Sequence, residues 1–92
     1  MSLIPRRVYE PNVSVDVADV DDECVLIHRS SGTYFGLDRV GSEIWGMLAA
    51  GMDPAAITIE LVDRYHVDSE RVRRDVDSLV TDLLAAELIR AR

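Results

Sequence analysis

The chain has no lysine, one cysteine, three prolines and five aromatic residues among its 92. Each scarcity excludes something. Cys24 alone allows no internal disulfide framework and no cysteine-rich zinc site. Cations are few and all are arginine: Lys plus Arg is 10 against 17 for Asp plus Glu, a net charge of −7 at pH 7. That balance opposes attachment to nucleic acid through its phosphates, and to an anionic membrane surface. No apolar run approaches the roughly 18 residues of a membrane span. Arg6 and Arg7 near the start are followed by no apolar stretch, so the pattern is not that of a signal peptide. A reduced, cytoplasmic setting is therefore expected.

Hydrophobic residues make up 48% of the chain, enough for a core, and the length suits one small domain. No repeat or low-complexity segment interrupts it. Pro5 and Pro11 mark residues 1–12 as an extended arm, leaving 13–92 as a single domain. Val13-Ser14-Val15-Asp16-Val17 alternates apolar and polar, the period of a half-buried strand. After an acidic turn, Cys24-Val25-Leu26-Ile27-His28 reads as a second strand, buried on both faces for part of its length. Ser30-Ser31-Gly32 supplies hairpin chemistry, and Thr33-Tyr34-Phe35-Gly36-Leu37 a third strand. The period then changes. Asp38 caps a helix carrying Val40, Ile44, Trp45 and Leu48, which Gly51 ends. Asp53-Pro54 opens a second helix with Ile57, Leu61 and Val62 as its apolar stripe. Asp68 caps a third, with Val72, Val76, Leu79, Val80, Leu83 and Leu84 spaced by three and four. A short apolar tail, Leu88-Ile89, closes the chain. Three antiparallel strands followed by three helices make an α+β domain of winged helix-turn-helix type.

Little here supports catalysis. Cys24 lies in an apolar strand, with no cationic neighbour in sequence to activate its thiol. His28 and His66 sit on different elements without ligand spacing to any acid, and suit surface or helix-end positions. The glycines form no phosphate-binding loop between strand and helix. The chain is expected to be no enzyme and to hold no metal or cofactor. Winged helices often bind DNA through the third helix, but residues 68–92 set six acids against five arginines. Those acids would repel phosphates. The arginines suit helix-surface pairs such as Glu70 with Arg74 or Arg73 with Asp77.

The third strand is more informative. Thr33, Phe35 and Leu37 share one face, with Phe35 and Leu37 suited to the core; Tyr34 and Gly36 share the other. A strand at the end of a three-stranded meander has a free edge; natural proteins usually blunt such an edge with lysine, proline or a bulge, and this strand has neither lysine nor proline. Gly36 lets another backbone come close.

Val25-Leu26-Ile27, then Gly32-Thr33-Tyr34-Phe35-Gly36-Leu37-Asp38, then Val40-Gly41-Ser42-Glu43-Ile44-Trp45 resembles the PqqD-like family. These are small recognition elements for ribosomally made, post-translationally modified peptides. The third-helix run Asp75-Val76-Asp77-Ser78-Leu79-Val80-Thr81-Asp82-Leu83 fits the same pattern. The usual Gly-Leu-Ile ending is here Glu87-Leu88-Ile89. The resemblance covers residues 13–90. It implies a binder that takes the leader of a precursor peptide as an added antiparallel strand on the third strand. Backbone groups from Thr33, Tyr34, Phe35, Gly36 and Leu37 would pair with the leader. Val72, Val76 and Leu79 of the third helix would line an apolar wall, with Arg73, Asp75 or Val80 as possible flanks. The free-standing form looks most like the lasso peptide type, whose partners are a transglutaminase-like leader peptidase and an asparagine-synthetase-like macrolactam cyclase. The competing reading is a winged-helix interaction or regulatory domain with no leader partner.

Overall fold

A computed structural model describes residues 7–92. Its elements run β1 (Tyr9–Pro11), β2 (Val15–Val20), β3 (Glu23–His28), β4 (Thr33–Leu37), α1 (Arg39–Ala49), α2 (Pro54–Tyr65), α3 (Ser69–Ala85) and β5 (Ile89–Ala91). Strands β2, β3 and β4 form an antiparallel sheet in that order, ahead of the three helices. This is the α+β, winged-helix arrangement that the residue pattern implies.

The caps fix where the helices begin. Asp38, Asp53 and Asp68 each accept, through the side chain, the amide N–H three residues on, from Gly41, Ala56 and Arg71. Each bond satisfies a donor that the first helical turn leaves free. The β3–β4 hairpin closes on Gly32, whose φ of 73° no β-branched residue would accept cheaply. At the end of α3, Glu87 N–H donates to Leu84 C=O and Leu88 N–H to Leu83 C=O. That pair of bonds is a Schellman motif, and its left-handed position is held by Glu87 at φ 58°. The glycine of the usual family ending would sit there without strain.

Leu26, Leu48, Ile57, Val76, Leu83 and Leu88 are fully buried, so sheet, helices and C-terminal tail share one core. Trp45 and Cys24 lie within it, and Phe35, Met47 and Met52 pack against it. Ser42 Oγ donates to Cys24 Sγ at 3.3 Å.

Three details differ from the sequence expectation. The first strand of the three-stranded sheet, β2, starts at Val15 and not at Val13, because Asn12 Oδ1 accepts from Ser14 N–H and folds 12–14 into a turn. Strand β3 is fully buried on one face only: Cys24, Leu26 and His28 are buried, while Val25 and Ile27 are half-covered. His28 is therefore no surface residue. Its ring closes the end of the inner face, and Nδ1 accepts from Ser31 N–H at 3.3 Å.

A second, two-stranded sheet has no counterpart in that expectation. Within the segment read as an extended arm, Tyr9–Pro11 pairs antiparallel with Ile89–Ala91, and Tyr9 packs on the core. Residues 1–6 of that segment lie outside the described residues.

Candidate functional site: the open edge of strand β4

Register decides which backbone groups of β4 are free. Arg29 N–H donates to Ser14 C=O at 2.8 Å, making that pair hydrogen-bonded at the end of the β2·β3 ladder. Bonded and non-bonded pairs alternate along an antiparallel ladder. With Val15 opposite His28, the groups of Ile27, Val25 and Glu23 turn toward β2. Those of His28, Leu26 and Cys24 turn toward β4, where Thr33, Phe35 and Leu37 stand opposite. Tyr34 and Gly36 consequently aim N–H and C=O away from the sheet, along an edge that no strand of the described residues covers.

A cleft of about 520 Å³ runs beside this edge. Residues 35–38 form one side, Asp75, Leu79 and Asp82 of α3 the other, and Val40 and Ile44 of α1 line its end. Leu37 is buried, and Phe35 and Leu79 are partly buried against the core. The interior is therefore apolar under an acidic rim, since Asp75 and Asp82 make no ion pair among the described residues. Asp38 spends one carboxylate oxygen on the Gly41 amide, at 2.7 Å.

The eight residues expected to contact a peptide divide. Phe35, Gly36, Leu37 and Leu79 meet at the cleft. Thr33 sits at the hairpin end, its N–H and Oγ1 both engaged with Ser31 Oγ. Tyr34 is 71% exposed on the outer face of the sheet. Val72 and Val76 belong to the core and line a second cleft farther along α3, not the one against β4. Of the suggested flanks, Asp75 lines the cleft. Val80 is buried in the core, and Arg73 pairs with Glu70 and Asp77. The contribution of α1 was missed. Val40 lies three residues beyond β4 and reads in sequence only as part of a core stripe, yet it is 42% exposed.

At the far end of α2, Tyr65 OH donates to Glu43 Oε2 at 2.6 Å. This bond, then desolvation, raises the phenol above its ordinary pKa of 10.0. Arg64 bridges Glu60 and Glu43 beside it, at 3.0 and 3.5 Å.

No group of three or more His, Cys, Asp or Glu among the described residues could hold a metal ion. No helix among them is long and apolar enough to cross a membrane. A bare strand edge above an apolar, acid-rimmed cleft, in a winged-helix fold, is the geometry that strand addition by an extended peptide requires. The chain belongs to the PqqD family, described as coenzyme PQQ synthesis protein D, whose pattern matches residues 23–89. Two solved structures share its fold. One is TbiB1 in complex with the TbiA(beta) leader peptide, 41% identical, with a TM-score of 0.82 over 88% of this chain and 94% of that one. The other is a lasso peptide synthetase B1 complexed with the leader peptide, 28% identical, with a TM-score of 0.82 over 89% of this chain and 96% of that one. None of the curated proteins compared matches the chain.

Proposed function

We propose that this protein binds the leader of a ribosomally made precursor peptide and delivers it to processing enzymes in lasso peptide biosynthesis, catalysing nothing itself. One observation carries the reading: the outward N–H and C=O groups of Tyr34 and Gly36 stand beside an apolar cleft. An extended peptide laid there gains main-chain hydrogen bonds from the edge, and every second side chain faces the cleft. Phe35, Leu37 and Leu79 supply the apolar contact, and Thr33 marks where the paired stretch ends. Val72 and Val76 act by holding α3 at the right distance. Two proteins of the same fold, solved in complex with leader peptides, support leader binding as the function.

The enzymes receiving the precursor are a transglutaminase-like leader peptidase and an asparagine-synthetase-like cyclase, and the work is done in the cytoplasm. The net charge of −7 favours leaders and enzyme surfaces carrying Lys and Arg, mainly by speeding encounter. A leader disordered when free loses several kcal/mol to ordering, so a dissociation constant of roughly nanomolar to micromolar is expected. Fluorescence polarisation with the leader of the precursor encoded beside this chain tests the reading. Saturable binding in that range supports it; absence of binding at tens of micromolar protein overturns it.

A further inference from the structure

Nothing inside the fold demands glycine at position 36. A Cβ there would meet no atom within 4 Å, and the backbone is not left-handed. A side chain at 36 would point to the outer face of the sheet and not along its edge, so pairing with another backbone does not require glycine either. Yet glycine weakens a strand, and in one it often marks the close approach of something else. The surroundings of this gap are apolar. By register Ala18, Val25 and Gly36 form one row across the outer face, and Ile27 stands beside Tyr34 in the next. Val25 and Ile27 are half-covered, and Tyr34 is exposed. A depression of about 570 Å³ opens here, with Val20, Val25 and Gly36 in its lining, and it shares Gly36 and Leu37 with the cleft on the other face. The acidic β2–β3 turn, residues 21–23, rims it in open solvent.

The register of an added strand says what fills the gap. Tyr34 and Gly36 carry the free N–H and C=O groups, so each forms a hydrogen-bonded pair with the peptide residue directly opposite. Partners in such a pair place their side chains on the same face. Two peptide residues, two positions apart, therefore face outward, and the one between them faces the cleft. Resting on the leader-binding reading, we propose that Gly36 is a specificity-determining residue: the leader residue paired with it carries a large aliphatic or aromatic side chain, which lies across the glycine onto Val25. Val25 is two strand spacings from the leader backbone, roughly 10 Å, so only a large side chain meets it. Tyr34 is the diagonal neighbour and closes the flank. An aromatic side chain laid over a glycine on the neighbouring strand is a known way to cover such a gap. The edge itself holds any extended chain, and the missing side chain at 36 selects among them.

The test is a double-mutant cycle by fluorescence polarisation. The probe is the fluorescein-labelled leader of the precursor encoded beside this chain, unaltered and with each residue in turn replaced by alanine. Gly36→Val fills the gap with a strand-favouring side chain, and Tyr34→Thr removes the flank; both keep the edge N–H. Each should weaken the unaltered leader about fivefold, and both losses should vanish for the same alanine leader, altered at a large apolar residue. Leu79→Ala, on the cleft side, marks the leader residues that face α3. Because neighbours along a strand alternate faces, the residue coupled to Gly36 should lie an odd number of positions from any coupled to Leu79. An even separation overturns the proposal. So does coupling to a lysine or arginine of the leader, which would put the acidic turn in charge and not the apolar row. Should Gly36→Val melt early, Tyr34→Thr decides alone. Normal affinity of both variants for the unaltered leader also overturns the proposal, and Gly36→Pro, which removes an edge donor, then tells the two ideas apart. If it weakens binding, only the selective role of the glycine is refuted; if it too binds normally, leader capture on β4 fails as well.

Discussion

Replacing Gly36 by proline acts on the open edge of β4 and leaves its paired edge alone. The Gly36 N–H points outward, so its loss removes no bond of the β3·β4 ladder. A Cβ at this position meets no atom within 4 Å. Proline is tolerated on edge strands whose N–H faces solvent, so stability should change by no more than about 1 kcal/mol. A peptide on that edge loses one hydrogen bond worth about 0.5–1.5 kcal/mol, and one of its carbonyls is left desolvated without a donor, costing about 1–3 kcal/mol more. Affinity should fall roughly ten- to a hundredfold. Gly36→Ala keeps the N–H and points its methyl to the outer face with Tyr34, so its affinity should stay within about threefold of the original. Circular dichroism melts beside fluorescence-polarisation titrations report both quantities. A folded Gly36→Pro protein with normal affinity refutes strand addition. Equal losses for alanine and proline refute the backbone argument, because a methyl group would then suffice.

Val76→Ala should cost about 2–3 kcal/mol, since Val76 is fully buried and both lost carbons leave a cavity; a fall in Tm of roughly 10–20 °C checks it. Glu87→Gly should stabilise the fold by about 0.5–1 kcal/mol by relieving the left-handed backbone, read as a rise of a few degrees in the same melt. Tyr65 should ionise above 10.0 in an ultraviolet titration and move down in Glu43→Ala. Because the folded value is raised, the stability this bond contributes is complete below the unfolded pKa and disappears as pH rises through the folded one. Duplex DNA should give no gel shift at low micromolar protein in about 150 mM salt, as the net charge of −7 demands.

Local chemistry made much of this legible in sequence. Asp38, Asp53 and Asp68 announce their helices because a cap is a short-range bond, and Gly32 announces its hairpin because few residues accept its φ. Strand β4 is readable from its alternation between Gly32 and Asp38. The β1·β5 sheet is not, because two three-residue strands carry no period and their partners lie about 80 residues apart. Along α3, Val72, Val76 and Leu79 share one apolar stripe. A spacing of three or four cannot tell a residue sealed in the core, as Val76 is, from one at a cleft, as Leu79 is. Buried His28 was equally hidden: its ring accepts a bond from Ser31 N–H, in the turn that its own hairpin creates.

Amide hydrogen exchange on β4, with and without leader, tests strand addition most directly. Phe35 and Leu37 bond to β3 and should be protected in the free protein, whereas Tyr34 and Gly36 face outward and should exchange fast. Saturating leader should slow Tyr34 and Gly36 by at least about tenfold and change Phe35 and Leu37 far less. Leader that binds while Tyr34 and Gly36 continue to exchange freely would contradict the account, because no strand would then have been added to this edge.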